Sequence, residues 1–581
     1  MRGSTTPTEG FELIATTAAA TAAALEPAKS AVPDGRLPIV IGVSGHRHLR
    51  AADLPTHREH VRALFGQLRR RYPSTPLRIL TSLAEGADRL VAEVALEEGH
   101  ELLVPLPLEP ADYERDFPDS IAEFHSILRR VPPEQVFVLP QDAEDERLTP
   151  HDRREKRYRA VGMFLAQESH LLLALWDGKP TASDAGTAAV VRMKLEGPSG
   201  VPEAGLRPLD AEDGGPVYHV HAPRAGETAD SIKKPSWLLP QEGDEALFHT
   251  LCSRIERFNS EPLRRSYLDR LLHAGGALLP DIASRSRSEQ TLAAAFAAAD
   301  LYARHYQRTT RLVLRLTLLF AALLALTFEL YAEVLPWRAL PMSYLAAFAS
   351  LTVILLWQRK RDVQGRYLDY RALAEGLRVQ FYWRLAGLPD SASSSYLRKQ
   401  LDELRWIREA LRAAAALPPP QTAHPELALK YWVGGQAAYY ADRAHSQRKR
   451  MRVFERSSQL FLGAGLLATV VLVLFWDRLE SLPLWHRWLV VLMGFAPIGA
   501  ALWETYAERL GLRTQVNQYV RFAGIFRRAS RFADQLDRNP SRHDRQHALV
   551  ALLRELGREA LMENGDWVLL LRERPIVLPK G

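Results

Sequence analysis

Three short turns in the amino-terminal part of the chain carry residue types that hold an anion. In GVSGHR, Gly42 and Gly45 permit close backbone approach, Ser44 offers a hydroxyl, and Arg47 offers a guanidinium that can fork onto a phosphate. In SLAEGADR, Ser82 ends an apolar run, Gly86 makes the turn beside Glu85, and Asp88 stands where an amphipathic stretch begins. Capping of that helix is the plain structural reading of Asp88. The third turn starts at Asp177 and Gly178 and leads through a polar loop to Gly186 and Thr187, a glycine and a hydroxyl opening a helix. Helix amino termini present unpaired N–H groups and a positive dipole, so all three sequences suit a phosphate-bearing ligand.

Those turns need a scaffold that brings strand ends and helix starts together. From Leu37, short apolar runs alternate with amphipathic stretches: LPIVIGVSG, LRILTSL, HELLVPLPL, QVFVLP, HLLLALW and PVYHVHAPR read as strands, with helices between. Among the helices, PADYERDFPDSIAEFHSILRR reads as one element. Such alternation predicts a doubly wound, Rossmann-like α/β domain over residues 37–225, with its ligand beyond the carboxyl ends of the strands.

After a connector (RAGETADSIKKPSW) the pattern becomes helical, and four apolar runs follow in two pairs. Leu316 to Phe328 pairs with Met342 to Trp357, and Leu460 to Trp476 with Trp488 to Trp503. A bilayer core of about 30 Å needs about 20 helical residues. Each run reaches that length with its flanks, provided Arg315 and Glu329 snorkel toward head groups. Trp337, Trp357, Trp476, Trp485, Trp488 and Trp503 lie where an interfacial aromatic belt would place them. The alternative is a soluble bundle of buried helices. The order repeats: AADLYARHYQRTTR and AAYYADRAHSQRKR precede the two pairs, and RYLDYRALAEGLRVQFYW and RTQVNQYVRFAGIFRRAS follow them. ALPPPQTAHP divides the copies, since consecutive prolines stop a helix. The expected units are therefore 226–420 and 421–581, an all-α membrane region of two hairpins with helical extensions outside the bilayer.

Composition sets the outer limits. In 581 residues, 75 Lys and Arg oppose 68 Asp and Glu for a net charge of +7, and 47% of the residues are hydrophobic, which excludes disorder throughout. The isoelectric point near 9.3 raises nucleic acid as a partner. The arginines crowd just before apolar runs, in RHYQRTTRLVLR and HSQRKRMRVFER, so they point to a lipid bilayer and not to nucleic acid. A mean hydropathy of −0.17 is too polar for a chain made mostly of membrane helices. Cys252 is the only cysteine, so no internal disulfide exists and its thiol reads as inert packing. Residues 1–36 are Ala/Thr-rich with Arg2 as the sole basic residue ahead of the apolar part, and read as a disordered arm more than a signal peptide. His219 and His221 alternate on one strand face, where a solvated face is the simpler reading than a metal site.

The order GxSGHR, SLAEGAD, then DG followed by GT resembles the SLOG superfamily of Rossmann-like domains, which includes the LOG phosphoribohydrolases and the DNA-processing DprA proteins. The SLAEGAD element is the most specific part. The paired hairpins, with ADLYARHYQ ahead and YRALAEGLR behind, look like SLATT domains, two-transmembrane effectors found beside SLOG sensors in bacterial conflict systems. The resemblance implies an antiphage-type effector in which a SLOG domain senses a nucleotide-derived signal, ADP-ribose-like or a cyclic nucleotide, and SLATT hairpins perforate the membrane. It implies no metal or resident cofactor and a setting in the bacterial inner membrane. The small-xxx-small spacing of Ala346 with Ser350 and of Ala464 with Ala468 predicts a homo-oligomer, and the Lys and Arg flanking the pairs predict both termini in the cytosol. LOG enzymes carry a glutamate three positions after the Gly-Thr pair. Val190 stands there and cannot transfer a proton, so a sensor without catalytic residues is expected. The alternative is a membrane-tethered nucleotide hydrolase.

Overall fold

The computed structural model describes residues 33–140, 148–180, 185–197, 214–226, 232–240, 245–261, 278–397, 404–420, 422–536 and 542–573. Most of the expected arm over 1–36 lies outside them.

The amino-terminal part is a mixed sheet with helices on both faces. Strands β1 (Ile39–Gly45), β2 (Leu77–Leu80), β3 (Glu101–Leu106), β4 (Val136–Val138), β5 (Leu171–Trp176), β6 (Val217–His221) and β7 (Ser236–Leu238) assemble in the order β4-β3-β2-β1-β5-β6-β7. The first six run parallel and β7 runs antiparallel to β6. β5 is buried along its whole length and β1 along nearly all of its own, as expected of central strands covered on both faces. The covering helices are α1 (Leu54–Arg71), α2 (Ala87–Glu97), α3 (Ile121–Leu128), α4 (Pro150–Glu168) and α5 (Thr187–Glu196). β7 was not legible in the connector, because three residues carry no measurable alternation. Trp237 of β7 packs against the same core that holds Phe248 and Cys252 of α6 (Glu245–Asn259), so that core continues past residue 225. The stretch expected as one helix after β3 breaks instead at Phe117, which leaves the helical region at φ −147° and ψ 60° ahead of Pro118.

The remainder is helical. Helices α7 (Arg287–Glu333), α8 (Ala339–Arg361) and α9 (Val363–Leu385) precede α10 (Arg405–Ala415). Helices α11 (Gly435–Leu474), α12 (Pro483–Arg509), α13 (Leu512–Leu536) and α14 (Arg542–Arg572) follow it. A long helix, an apolar helix and a third helix follow one another twice, but the third is buried from Leu368 to Leu385 on nearly every side in α9 and one-sided in α13. Among the described residues four helices are long and apolar enough to cross a membrane. Each of the long helices changes environment along its length. The amino half of α7, Leu292 to Ala303, is buried with α9, α10, α13 and α14 around Trp383 and Trp432. Its carboxyl half and α8 leave large apolar side chains in the open, with Met342 71% and Leu345 67% exposed. Water does not tolerate so broad an apolar surface on a folded chain.

Helices α7 and α12 pack side by side. The Arg315 guanidinium donates to Tyr506 Oη at 3.0 Å at one end of their contact, and Arg487 donates to the Val334 carbonyl at 3.2 Å at the other. The bracketed stretch of α7 rises about 28 Å at about 1.5 Å per residue, the thickness of a hydrocarbon core.

The two parts meet through buried polar contacts on one face of the sheet. Arg78 of β2 pairs with Glu101 at 2.9 Å and donates to the carbonyls of Ala413 and Ala416, at 3.2 and 2.9 Å, which close α10. His170 accepts the Val40 N–H on Nδ1 at 2.9 Å, which leaves Nε2 to donate to the Glu409 carbonyl at 3.0 Å. Burial lowers the pKa of this ring to about 4, so it is neutral and satisfied on both nitrogens. Arg78→Met removes both carbonyl bonds and leaves Glu101 with the Gln135 amide alone. It should cost about 2–3 kcal/mol, the range for a hydrogen bond to a charged group, and lower the Tm of the full chain in detergent more than Arg69→Met does.

Candidate functional site

The strand order reverses between β1 and β5, and loops leaving the two strands there diverge to opposite faces. A cavity of about 800 Å³ opens at that point. Ser44, Gly45 and Arg47 line it from the β1 turn, Ser82 and Asp88 from the second turn, and Gly186 and Thr187 from the start of α5. Ser44 Oγ lies 3.4 Å from Thr187 Oγ1, which ties the first turn to the third.

The first two turns interlock through their backbones. The Ala87 N–H donates to the His46 carbonyl at 3.1 Å, and the His46 N–H to the Leu175 carbonyl at 3.0 Å. Gly86 has φ +82°, and a Cβ there would fall 2.0 Å from the Arg47 carbonyl oxygen, so only glycine fits. Gly45 is as constrained, since its Cβ would lie 2.4 Å from that of Ala87. Leu83 adopts φ 56°, held by the Thr81 hydroxyl on its N–H and by Arg89 on its carbonyl. A bulky residue in that region is strained, and such strain clusters where a turn is shaped for binding.

Of the residues expected to hold a ligand, Gly42, Glu85, Gly86, Asp177 and Gly178 do not line the cavity. Gly42 serves packing, because a Cβ would lie 2.8 Å from the Leu165 carbonyl of α4. Asp177 stands behind the wall, where it pairs with His46 at 3.3 Å and Arg224 at 3.4 Å, both on the cavity surface. Burial works against its charge, but the Lys179 N–H, His46 and Arg224 outweigh it and hold its pKa below the ordinary value.

The rest of the wall was not anticipated. Tyr113, Asp116, His151, Arg154, Glu155 and Tyr158 face the cavity from the segment after β3 and from the first turns of α4. Arg154 is committed to Asp116 at 2.6 Å and Asp112 at 3.2 Å, and Tyr158 donates to Asp116. The Arg47 guanidinium lies over the Tyr158 ring, 5.7 Å from its centre. The Tyr113 hydroxyl is buried next to Ser82 and Asp88. The rule that ligands sit past strand ends would have pointed to Tyr113; nothing local marks α4. Val190 is on the cavity wall too, packed so closely on Gly162 that a Cβ there would meet its Cγ2 at 2.8 Å.

Asp88 is the one wall residue with a carboxyl deep in the protein. Burial raises its pKa to about 6, against hydrogen bonds from Ser82, Thr81 and the Ala84 backbone and the nearby charge of Arg47. The Ser82 hydroxyl donates to it at 3.1 Å. The arrangement can therefore bind an anion at the uncapped amino end of α5 and at Arg47, while Ser82, Tyr113 and Asp88 exchange hydrogen bonds with hydroxyl or amino groups.

His219, expected on a solvated face, gives Nε2 to the Trp176 carbonyl at 2.9 Å, and His221 is buried. Among the described residues no three His, Cys, Asp or Glu side chains form a metal-binding group. Cys252 is buried, which holds its thiol well above the usual range. Comparison with known families, characterised proteins and solved structures finds no match to this chain.

A ligand phosphate is repelled by ionised Asp88 and tolerates the neutral acid. Binding is thus linked to proton uptake, and affinity for an anionic nucleotide should rise as pH falls from 7.5 through about 6. Asp88→Asn should remove that part of the dependence. Titration calorimetry of both proteins across this range checks it.

Proposed function

We propose that the chain is a membrane effector whose α/β domain senses a nucleotide-derived ligand and whose helices form or open a pore in response. The observation that carries the reading is the convergence of Ser44, Arg47, Ser82, Asp88, Gly186 and Thr187 on one cavity at the switch point. Its volume suits a nucleotide, with anion groups on one side and aromatic and hydroxyl groups on the other. The resemblance to SLOG sensors and SLATT effectors supports the same reading and adds the setting, defence of a bacterial cell against phage.

A physical route joins the two halves. Val161 and Leu165 of α4 line the cavity, and the same two side chains pack in one cluster with Ala413 and Ala416 at the end of α10. A ligand that moves α4 must repack α10, which is buried against α7 and α9.

In this reading the two pairs of apolar helices are hairpins that enter and leave from the cytosol, because Lys and Arg stay inside. Arg308, Arg311 and Arg315 precede the first pair, Arg359, Lys360 and Arg361 follow it, and Arg448, Lys449, Arg450 and Arg452 precede the second. Both termini are then cytosolic. Ala346 and Ser350, four apart on α8, are open to other copies and give helices a surface for close approach in a homo-oligomer.

A hydrolase remains the second reading, favoured by one observation: Asp88, titrating near neutrality inside the cavity, has the pKa of a general acid or base. Against it, Val190 lies where the LOG glutamate would stand.

Three outcomes are expected. Arg47→Ala should weaken binding of ADP-ribose or a cyclic nucleotide to the full chain in nanodiscs by about 1.5–3 kcal/mol, as calorimetry reads it. Unchanged affinity in Arg47→Ala and Thr187→Val together would remove the site. The wild-type protein should bind these nucleotides, and nucleoside monophosphates, without turnover; steady product formation lost in Asp88→Asn would favour the hydrolase. Finally, in a Cys252→Ser background, cysteines at Ser343 and Ser481 should react with an impermeant maleimide from outside intact cells while one at Ser394 stays protected. Labelling of Ser394 in resting cells would overturn the topology.

A further inference from the structure

Arginines near one end of the apolar helices converge on another cavity. It has a volume of about 330 Å³ and is walled by α7, α9, α11, α12, the start of α13 and the end of α14. Arg311 and Arg315 reach it from α7, Arg450 from α11 and Arg509 from α12. Spacing explains the convergence. Gln307, Arg311 and Arg315 follow one another at intervals of four, and Gln447, Arg450 and Phe454 at intervals of three and four, so each set shares one helix face.

Every charged residue on this wall has the same sign. Among the described residues no Asp or Glu lines the cavity, and no ion pair engages Arg311, Arg315 or Arg450. Arg315 donates to Tyr506 Oη at 3.0 Å, and Glu455, the residue after Phe454, is turned away to Arg513 at 3.8 Å. Like charges gathered around one space repel each other, and an anion placed between them turns that repulsion into attraction.

Most of the neutral polar groups are already committed. The amides of Gln307, Gln364 and Gln515 donate to Tyr367 Oη and to the carbonyls of Leu571 and Leu510, at 2.9, 3.1 and 3.0 Å, which fixes the walls. Two groups are not committed. The Thr310 hydroxyl and the amide oxygen of Gln447, a residue only 6% exposed, are buried on this wall with no hydrogen-bond partner. A ligand that carries both phosphate oxygens and hydroxyl groups satisfies the pair.

Depth selects the source of that phosphate. Arg315 and Tyr506 mark one edge of the apolar stretch of α7, and Phe454 closes that side, its ring centre 5.0 Å from that of Trp503 and 5.6 Å from that of Tyr506. Arg311, one turn farther out, stands about 6 Å beyond Arg315 at about 1.5 Å per residue. A head-group layer is roughly 5–8 Å deep, since about 30 Å of hydrocarbon lies within about 40–45 Å of bilayer. The cations are therefore at the depth of lipid phosphates.

We infer that this cavity binds the head group of an anionic phospholipid, with Arg311, Arg315 and Arg450 on the phosphate oxygens and Thr310 and Gln447 on the remaining polar groups. Walls from both pairs of helices enclose the site, so the bound lipid joins the two. The inference deepens the membrane reading and rests on the helices spanning a bilayer.

The test counts lipids retained by the full chain in neutral detergent, by native mass spectrometry, as phosphatidylglycerol or phosphatidylcholine is added. Phosphatidylglycerol should be retained at a concentration at least several-fold lower than phosphatidylcholine. Arg311→Gln with Arg450→Gln should abolish that preference, whereas Arg359→Gln with Arg361→Gln, which removes the same charge from the exposed end of α8, should keep it. The wild-type comparison stands by itself if a variant does not fold. Inorganic phosphate should raise the Tm of the lipid-free protein less than phosphatidylglycerol does; equal stabilisation would assign the cavity to a free anion and overturn the lipid site. Equal retention of the two lipids by the wild type, or the same loss in both double variants, overturns the inference and leaves the membrane reading standing. A full chain that stays soluble without detergent overturns both.

Discussion

The structure depends on α4 serving two neighbours with one set of side chains. Its first turns supply His151, Arg154 and Tyr158 to the cavity, and its last turn lies against the β1 edge that His170 ties to α10. Between them, Val161 and Leu165 belong to both environments. Interiors are packed to crystal density, so a shift of α4 cannot be absorbed locally. The polar contacts under its end show how tightly the junction is held. Burial raises the Glu168 pKa to about 7, while the charges of Arg412, Arg405 and Lys194 overcome burial to hold Glu409 down at about 2. One carboxylate is kept charged and its neighbour is kept near neutral, which separates their roles within one small region.

Much of this could be read in the sequence because it is local. A six-residue apolar run such as LLLALW between turn signals reads as a central strand, and the glycine in SLAEGAD as the turn residue, where the structure gives Gly86 φ +82°. The spans were legible for the same reason, since length and apolarity are properties of a segment alone. What escaped were features set by packing between distant segments. The cavity wall from α4 depends on where that helix lands on the sheet, and no residue in RREKRYRAVG announces it. Glu329 is the sharpest case. At the end of an apolar run it looks like an interfacial residue, and only the register of α7 on α12, fixed by Arg315 with Tyr506 and by Arg487 with Val334, places it within the span.

The duplicated units are alike in order but not in surroundings. Glu329 has no acidic counterpart at the same distance from the following Leu-Pro, where the second copy has Trp476. The amino half of α7 is buried around Trp383 and Trp432, whereas α11 carries an exposed basic stretch, Arg448 to Arg450, ahead of its apolar part. The two helical stretches thus share an order of elements, and the first carries the contact with the α/β domain through α10. α10 belongs to the first copy, and the end of that helix is where Arg78 takes hold.

How much such a junction can transmit follows from the energies available. Moving a two-state equilibrium from 1:99 to 99:1 requires a ligand to prefer one state by about 5.5 kcal/mol. One charge-assisted hydrogen bond contributes about 1.5–3 kcal/mol, so no single contact at this cavity suffices. At least two must differ between the states, and they must lie on elements that move relative to each other. The turns on β1 and α2 are locked by the Ala87–His46 and Gly86–Arg47 approaches and act as one body. The start of α5 touches that body through the long Ser44–Thr187 contact, and α4 through the Arg47–Tyr158 stacking. A ligand that bridges Arg47 to the α5 amino terminus therefore spans the loosest seam of the site, and closing that seam presses on Val190 and Gly162, the point where α5 meets α4.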